Sequence, residues 1–294
     1  MKIASNRIVD IIRYFRDELK DRYEAGELET IIGYCFEEFV NIKHAELVIR
    51  KNDTVTESEL LKFSFAVKDL KRMKPVQYVL GNADFYGMKL KVNENVLIPR
   101  PETEELVDLI LKEYQLSSIK YQDRGIKILD IGTGSGCIAI ALRKNIVAAS
   151  VMAVDVSEGA LRVAKENAIA NGVEISFVKD DILKSNLKPE DSNFDIIVSN
   201  PPYVCESEKG EMQRNVLDYE PHLALFVEDN NPLLFYNAIA DFALKHLVVN
   251  GKLYFEINQM YGEETKKMLL EKGFKNVELR KDLNNKNRIL RGEI

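Results

Sequence analysis

The sequence predicts an α/β fold with a doubly wound, mostly parallel sheet, preceded by a helical domain and a connecting β-hairpin. Three observations predict this fold. From residue 126 onward, short apolar runs alternate with amphipathic segments, as strands and crossover helices do. The first of these runs ends in a glycine-rich loop at 132–136 that opens a helix. Residues 1–74 instead carry apolar residues at helical spacing and contain no proline.

The composition describes a chain that can bury a full core and is slightly acidic. Of 294 residues, 46% are hydrophobic and 30% are charged, and the net charge is -6. This balance lacks the overall positive charge of a nucleic-acid-binding protein. Three cysteines without a Cys-x-x-Cys pair exclude a disulfide framework and speak against a zinc site. Without a signal peptide or an apolar run of ~18 residues, we expect a cytoplasmic protein with no membrane span.

Residues 1–74 predict a helical domain. The residues at helical spacing fall into three sets, all apolar apart from Ser64: Ile8, Ile11, Ile12, Phe15 and Leu19; Ile31, Ile32, Cys35, Phe36 and Phe39; and Leu60, Leu61, Ser64, Phe65 and Val67. Thr56 and Glu59 form a capping box that opens the third segment. With 14 basic and 14 acidic residues the domain is neutral. It is either a docking domain for a substrate or partner, or a packing extension of the main domain.

The sequence predicts that residues 75–101 form a connecting hairpin and that residues 102–294 form the main domain. The two strands are expected around Phe85–Val92 and Asn95–Ile98. Pro101 is expected at the first position of a helix. The remaining predicted strands are 126–131, 151–154, 175–178, 194–198 and 252–257, with a closing antiparallel pair at 277–280 and 288–290. The remaining predicted helices are 137–143, 157–170, 232–249 and 262–271.

The loop after the first parallel strand has glycines at 132, 134 and 136. Glycine allows a tight turn and close approach of a ligand to backbone N–H groups. A dinucleotide fingerprint needs glycine where Cys137 stands, so the spacing is instead similar to the loop of S-adenosylmethionine methyltransferases. Asp155 ends the next strand and suits two ribose hydroxyls. A purely structural turn remains the alternative, and Cys137 is expected to be a packed thiol rather than a nucleophile.

The strand at 194–199 ends in Asn200, Pro201, Pro202 and Tyr203. The carboxyl ends of parallel strands carry the ligand crevice. Two prolines remove two backbone donors and stiffen the segment, which presents acceptor oxygens beside an aromatic ring. This arrangement predicts a receptor for a planar –NH2 group, held in line with an incoming methyl group. The alternative is a proline-rich strand terminator.

The loop, Asp155 and Asn-Pro-Pro-Tyr together resemble an S-adenosylmethionine-dependent N-methyltransferase of the Rossmann-like class I fold. Further segments resemble one family, the peptide chain release factor glutamine methyltransferases (PrmC/HemK): Pro-Val-Gln-Tyr-Val-Leu-Gly at 75–81, Phe-Tyr-Gly at 85–87 and Val-Leu-Ile-Pro-Arg-Pro-Glu-Thr-Glu at 96–104. The resemblance extends over essentially the whole chain. It implies methyl transfer from S-adenosyl-L-methionine to the Gly-Gly-Gln glutamine of class 1 release factors, with S-adenosyl-L-homocysteine as the product.

The resemblance also implies roles for individual residues. Those expected to hold the cofactor are Gly132, Thr133, Gly134, Ser135, Gly136, Asp155, Asp181, Ile182 and Asn200. Asn200, Pro201, Pro202 and Tyr203 are expected to hold the substrate amide and to be catalytic. Asp180 is the alternative to Asp181 at adenine. Arg100 is expected to bind the substrate, by closing over the site or by anchoring the substrate backbone, and the alternative is a salt bridge with Glu104. Glu220 either orients the substrate loop or sets a turn before Pro221.

The sequence departs from the family pattern at three places, of which one is an expected adenine contact and two are turns. Ile182 stands where an aromatic is common, residues 226–232 replace a Gly-Gly-x-Asp-Gly turn, and Asn287 replaces an aspartate. The expected enzyme is a monomer that transfers the methyl directly, with no metal and no nucleic-acid partner. The alternatives are a DNA or RNA amino-methyltransferase and a binding-only protein, while the spacing at Cys137 speaks against an oxidoreductase.

Overall fold

The computed structural model describes residues 3–117, 125–185, 187 and 193–294. Within these residues the helices are α1 (Ile8–Leu19), α2 (Ala25–Val40), α3 (Glu57–Leu70), α4 (Val76–Leu80), α5 (Pro101–Ser117), α6 (Cys137–Asn145), α7 (Glu158–Ala170), α8 (Arg214–Tyr219), α9 (Leu234–His246) and α10 (Gly262–Glu271). The strands are β1 (Asn82–Phe85), β2 (Met88–Lys91), β3 (Ile126–Ile131), β4 (Ala149–Asp155), β5 (Ser176–Lys179), β6 (Phe194–Ser199), β7 (Val204–Cys205), β8 (Phe226–Val227), β9 (Leu247–Glu256), β10 (Lys275–Lys281) and β11 (Asn287–Glu293).

The chain divides into two compact units. One unit comprises Met1–Gly81 together with Gln213–Tyr219, and the other comprises Asn82–Met212 together with Glu220–Ile294. The segment expected as a separate hairpin, 75–101, is therefore shared: α4 lies in the first unit, and β1 and β2 lie in the second. α4 and α8 had no counterpart in the sequence analysis.

The helical unit packs around the ring of Phe63. Ring centroids of Phe15, Phe36 and Phe39 lie 6.1, 4.6 and 5.2 Å from it. The capping box before α3 is confirmed, because Thr56 N donates to Glu59 Oε2 at 2.8 Å and Glu59 N donates to Thr56 Oγ1 at 3.3 Å. The expected apolar set of this helix is partly wrong. Leu61 and Phe65 are 57% and 63% exposed, and the buried face is formed by Phe63, Ala66, Val67 and Leu70.

The hairpin is shorter and earlier than predicted. β1 pairs with β2 in antiparallel register, and Phe85 lies opposite Met88. The intervening Tyr86 and Gly87 have φ values of 47° and 70°, which is the backbone of a tight hairpin turn with both central residues left-handed. The prediction that 85–92 is one strand and 95–98 its partner was wrong, since the Tyr-Gly pair makes the turn inside the first of these segments.

The main sheet has seven strands in the order β10-β11-β9-β6-β3-β4-β5. The pairs from β9 to β5 are parallel, whereas β11 runs antiparallel to both β9 and β10. Apolar clusters cover both faces, and β6 is buried along its whole length. The doubly wound prediction is confirmed. The largest boundary error is at the helix predicted to reach residue 249. It ends at His246, and the strand predicted to begin at residue 252 begins at Leu247.

The chain order reverses between β3 and β6. From β3 the chain builds outward through β4 and β5, and it then returns to add β6 on the other side of β3. In such sheets a crevice opens at the carboxyl ends of the strands beside the reversal. The glycine loop follows β3, and Asn200 follows β6, so the fold brings both predicted motifs to one crevice.

Candidate active site

A cleft lies within the second unit at the carboxyl ends of β3, β4 and β6. Its lining includes the predicted residues Arg100, Gly132, Thr133, Gly134, Ser135, Asp155, Asp180, Asp181, Ile182, Asn200, Pro201 and Pro202. Cys137 also lines the cleft, and burial raises the pKa of its thiol to about 12. The thiol is therefore protonated at neutral pH, in keeping with a packed residue rather than a nucleophile.

The glycine loop has the backbone of a ligand cradle. Gly132, Gly134 and Gly136 all have positive φ, at 73°, 55° and 82°. A Cβ on Gly132 or Gly134 would meet nothing within 4 Å, whereas one on Gly136 would meet Ile140 Cδ1 at 3.0 Å. The first two glycines thus leave open space beside their backbone, and Gly136 packs closely where α6 begins.

The side chains of Asp130 and Asn167 hold this loop in place through hydrogen bonds. Thr133 Oγ1 donates to Asp130 Oδ2 at 2.6 Å, and burial raises the pKa of Asp130 to about 7. Asn167, on α7, donates to Ser135 O at 2.9 Å and to Lys91 O at 3.0 Å. Asn167 is fully buried and was missed in the sequence, because a lone asparagine in an amphipathic helix carries no visible signal.

Asp155 is held by backbone N–H groups. Its Oδ2 accepts from Gly134 N at 2.8 Å, and its Oδ1 accepts from Ser157 N at 2.9 Å. Burial raises the pKa of Asp155, and these hydrogen bonds lower it. Each carboxylate oxygen has a second lone pair, so the side chain keeps acceptor capacity at the cleft.

The acids after β5 both reach the cleft. Ser185 Oγ donates to Asp180 Oδ2, and Leu183 N donates to Asp181 Oδ1 at 3.0 Å. Ile182 lines the same part of the cleft and packs against the apolar cluster on that face of the sheet. Each acid keeps lone pairs beyond those used by its local donor, so either one can accept from an adenine amino group.

The Asn-Pro-Pro-Tyr segment is anchored by side chains of other elements. Asn200 Nδ2 donates to Thr103 Oγ1 at 3.3 Å. Tyr203 OH donates to Glu256 Oε1 at 3.1 Å, and Asn258 Nδ2 donates to Tyr203 O at 3.0 Å. Burial raises the pKa of Tyr203 well above its usual value, so the phenol stays protonated. Stacking of the Tyr203 ring on a substrate amide stays a prediction.

Arg100 pairs with a different acid from the one considered in the sequence. Its Nη2 lies 2.5 Å from Glu220 Oε1, while Glu104 Oε1 accepts from Tyr86 N at 2.6 Å. The Glu104 salt bridge was therefore a wrong alternative. Glu220 is 3% exposed and also accepts from Ile98 N at 3.1 Å. Glu220 thus anchors the backbone and side chain of the segment that enters α5.

The described residues contain neither a metal-binding cluster nor a membrane-spanning helix. Among residues 3–117, 125–185, 187 and 193–294, no three His, Cys, Asp or Glu side chains are grouped to hold a metal ion. Over the same part of the chain, no helix has the length and apolar character needed to cross a membrane.

Sequence comparisons match two family models and many relatives. A model described as "Methyltransferase small domain" matches residues 113–218, and one described as "PrmC N-terminal domain" matches residues 10–81. The release factor glutamine methyltransferase of Flavobacterium psychrophilum is 49% identical over 280 residues, which is 94% of this chain and 95% of that protein. The one of Bacteroides thetaiotaomicron is 40% identical, over 95% of this chain and 98% of that protein.

Solved structures share the fold at low sequence identity. The hMettl16 catalytic domain superposes with a TM-score of 0.54 and 16% identity, over 81% of this chain and 82% of that chain. A methyltransferase from Pyrococcus furiosus gives a TM-score of 0.51 and 17% identity, over 81% and 98%. At these identities the likeness concerns the fold and not the substrate.

Proposed function

Because the chain belongs to the release factor glutamine methyltransferase family, we propose that it methylates the side-chain amide of a glutamine in peptide chain release factors. The methyl donor is S-adenosyl-L-methionine, and the target is the glutamine of the Gly-Gly-Gln loop in class 1 factors. One observation carries the proposal: Asn200, Pro201 and Pro202 line the same cleft as the glycine loop and Asp155. An amide receptor and a nucleoside cradle therefore open into one space.

Different residues of the cleft bind different parts of the cofactor. Residues 132–136 wrap the methionine part, Asp155 accepts from the ribose hydroxyls, and Asp181 or Asp180 accepts from the adenine amino group beside Ile182. When bound, S-adenosyl-L-methionine supplies an electrophilic methyl group on a sulfonium and leaves as S-adenosyl-L-homocysteine. The open space beside Gly132 and Gly134 supports this assignment, because a ligand can approach their backbone closely.

The substrate amide is a poor nucleophile because its lone pair is delocalised, so the site works by positioning. Asn200 Oδ1 and the carbonyl at the following proline accept the two amide N–H protons. The ring of Tyr203 stacks on the plane of the substrate amide. The amide nitrogen loses its proton after the methyl has been transferred. Arg100, held by Glu220, borders the entrance and contacts the substrate backbone.

The helical unit is proposed as the docking module for the release factor, and the protein as a cytoplasmic monomer. Leu61 and Phe65, four positions apart on α3, are exposed apolar side chains on this unit. Such a face suits an apolar partner surface better than a phosphate backbone.

The test is mass spectrometry of a bacterial class 1 release factor after incubation with the chain and S-adenosyl-L-methionine. The expected result is one added methyl on the glutamine of the Gly-Gly-Gln loop. A parallel incubation contains an adenine- and cytosine-containing oligonucleotide. Methyl transfer to the oligonucleotide alone would replace this proposal with a nucleic-acid amino-methyltransferase, and cofactor binding without transfer to either would indicate another substrate.

A further inference from the structure

A buried carboxylate lies directly behind the Asn-Pro-Pro-Tyr segment. Glu256 is the last residue of β9, the parallel neighbour of β6, and the register places Ser199 opposite Phe255. The residues that follow this pair, Asn200 and Glu256, therefore leave adjacent strands at the same level. Glu256 is 1% exposed. A buried carboxylate needs hydrogen-bond donors, and its donors show what it does.

Both oxygens of Glu256 accept from hydroxyl groups. Thr103, in the first turn of α5, donates from Oγ1 to Oε2 at 2.6 Å, and Tyr203 donates to Oε1 at 3.1 Å. Burial raises the pKa of Glu256, and the two hydrogen bonds and the nearby Arg288 offset only part of that rise. One carboxylate thus contacts the last residue of the Asn-Pro-Pro-Tyr segment directly and its first residue through Thr103.

The threonine hydroxyl decides which way the Asn200 amide faces. A hydroxyl has one proton, and that of Thr103 is given to Glu256. Toward Asn200 the Thr103 oxygen can then only accept, so the Asn200 group at 3.3 Å must be the NH2 group. The carbonyl oxygen Oδ1 is the other end of the same amide. It is thereby directed away from Thr103.

We infer that Thr103 and Glu256 are positioning residues that fix the amide of Asn200 with its oxygen toward the substrate. This inference rests on the proposed function. The substrate amide offers N–H donors, and the opposite orientation of Asn200 would set its own NH2 group against them. Without an acceptor at Thr103, both orientations of Asn200 become accessible, and only one binds the substrate nitrogen productively.

The experiment compares Thr103→Val with Thr103→Ser. Valine has nearly the shape of threonine but no hydroxyl, whereas serine keeps the hydroxyl and loses a methyl. For Thr103→Val we expect kcat for release factor methylation to fall roughly tenfold, the loss that corresponds to one hydrogen bond. S-adenosyl-L-methionine affinity, measured by calorimetry, should not change, because Thr103 holds Asn200 and not the glycine loop. Thr103→Ser should restore kcat.

Three results would overturn the inference. Native kcat in Thr103→Val would show that the hydroxyl does not orient Asn200. An equal fall in Thr103→Ser would show that side-chain shape matters instead. A parallel loss of cofactor affinity would indicate a general structural role. If Thr103→Val does not fold, the kcat ratio of Thr103→Ser to Thr103→Ala, which differ by one oxygen, carries the same test. If the native chain methylates no release factor, the proposed function fails together with the inference.

Discussion

The two sides of the cleft are held in place in different ways. Asp155, on the cofactor side, is fixed by backbone N–H groups of Gly134 and Ser157, which belong to the loop itself and to the turn after β4. Asn200, on the substrate side, is fixed by the side chain of Thr103, 97 residues earlier in the chain. A backbone N–H donor remains after most substitutions. A contact made by a side chain, such as the Thr103 hydroxyl, is lost when that one oxygen atom is removed. Substitutions on the two sides should therefore affect different steps.

The largest expected effect is on the substrate side. Asn200→Ala removes the acceptor for the substrate amide, and we expect kcat to fall by about 100-fold or more, as when a transition-state hydrogen-bond partner is lost. Asn200 is also expected to contact the cofactor, but residues 132–136 and Asp155 are untouched, so most of the cofactor affinity should persist. Methylation rates and calorimetry separate the two quantities, with the exposed Asn230→Ala as the matched control. An Asn200→Ala variant that lost cofactor affinity but kept its kcat would contradict the proposed difference between the two sides of the cleft.

The second prediction concerns the close packing around Gly136 on the cofactor side, measured as a loss of unfolding free energy. Gly136→Ala adds left-handed strain of about 1–2 kcal/mol and overpacking of about 1–3 kcal/mol, because the new Cβ would lie 3.0 Å from Ile140 Cδ1 and 3.1 Å from Ala164 Cβ. Gly172→Ala is the control, since Gly172 has a φ of 68° but open space around a Cβ. Urea unfolding should show the larger loss of unfolding free energy for Gly136→Ala, and equal losses would contradict close packing there.

Asp155→Ala tests the cofactor side directly. Removal of a charged acceptor from ribose hydroxyls should weaken S-adenosyl-L-methionine binding by about 1.5–3 kcal/mol. Asp155→Asn keeps one acceptor oxygen but sets its NH2 group against the N–H of Gly134 or Ser157, so it should weaken binding as well. Calorimetric dissociation constants measure both variants. If Asp155→Ala reduced kcat under saturating cofactor and left affinity intact, the separation of the two sides would be wrong.

The smallest effect distinguishes the two acids after β5. The adenine amino group donates one hydrogen bond to a carboxylate, so loss of that acceptor should weaken cofactor binding by about 1.5 kcal/mol, the lower end of the range for a charged partner. We expect that loss for Asp181→Asn. For Asp180→Asn the Asn oxygen can still accept from Ser185 Oγ, and affinity should change less. The reverse order of the two dissociation constants would assign adenine to Asp180.

The cofactor side was visible in the sequence because its determinants are local. The glycine spacing, the strand before it and Asp155 at the end of β4 lie within one strand-loop-helix-strand segment. Asn200 to Tyr203 were visible for the same reason. Thr103 and Glu256 were not, because their contact with this segment depends on the register between β6 and β9 and on where α5 begins. Pairing across distant elements leaves no periodic pattern in a sequence.

Predictions from local preferences were also wrong at two places where two structures are compatible with the sequence. Glu104 stands four positions after Arg100, a spacing that favours a helical ion pair, yet Arg100 precedes the helix and turns to Glu220. Tyr86 is a poor choice for positive φ by propensity, so the hairpin turn was placed too late. In both cases a tertiary contact or a following glycine overrides the preference of the single residue.

The position of β11 has a consequence for how the molecule is made. β11 is the last strand of the sheet to be synthesised, but it lies between β9 and β10 rather than at an edge. While a ribosome is still adding residues 287–293, one side of β9 has no hydrogen-bonding partner. An unpaired strand edge invites pairing with other chains. The growing chain therefore exposes an unpaired edge of β9 until β11 has emerged, and substitutions that slow the pairing of β11 prolong that exposure.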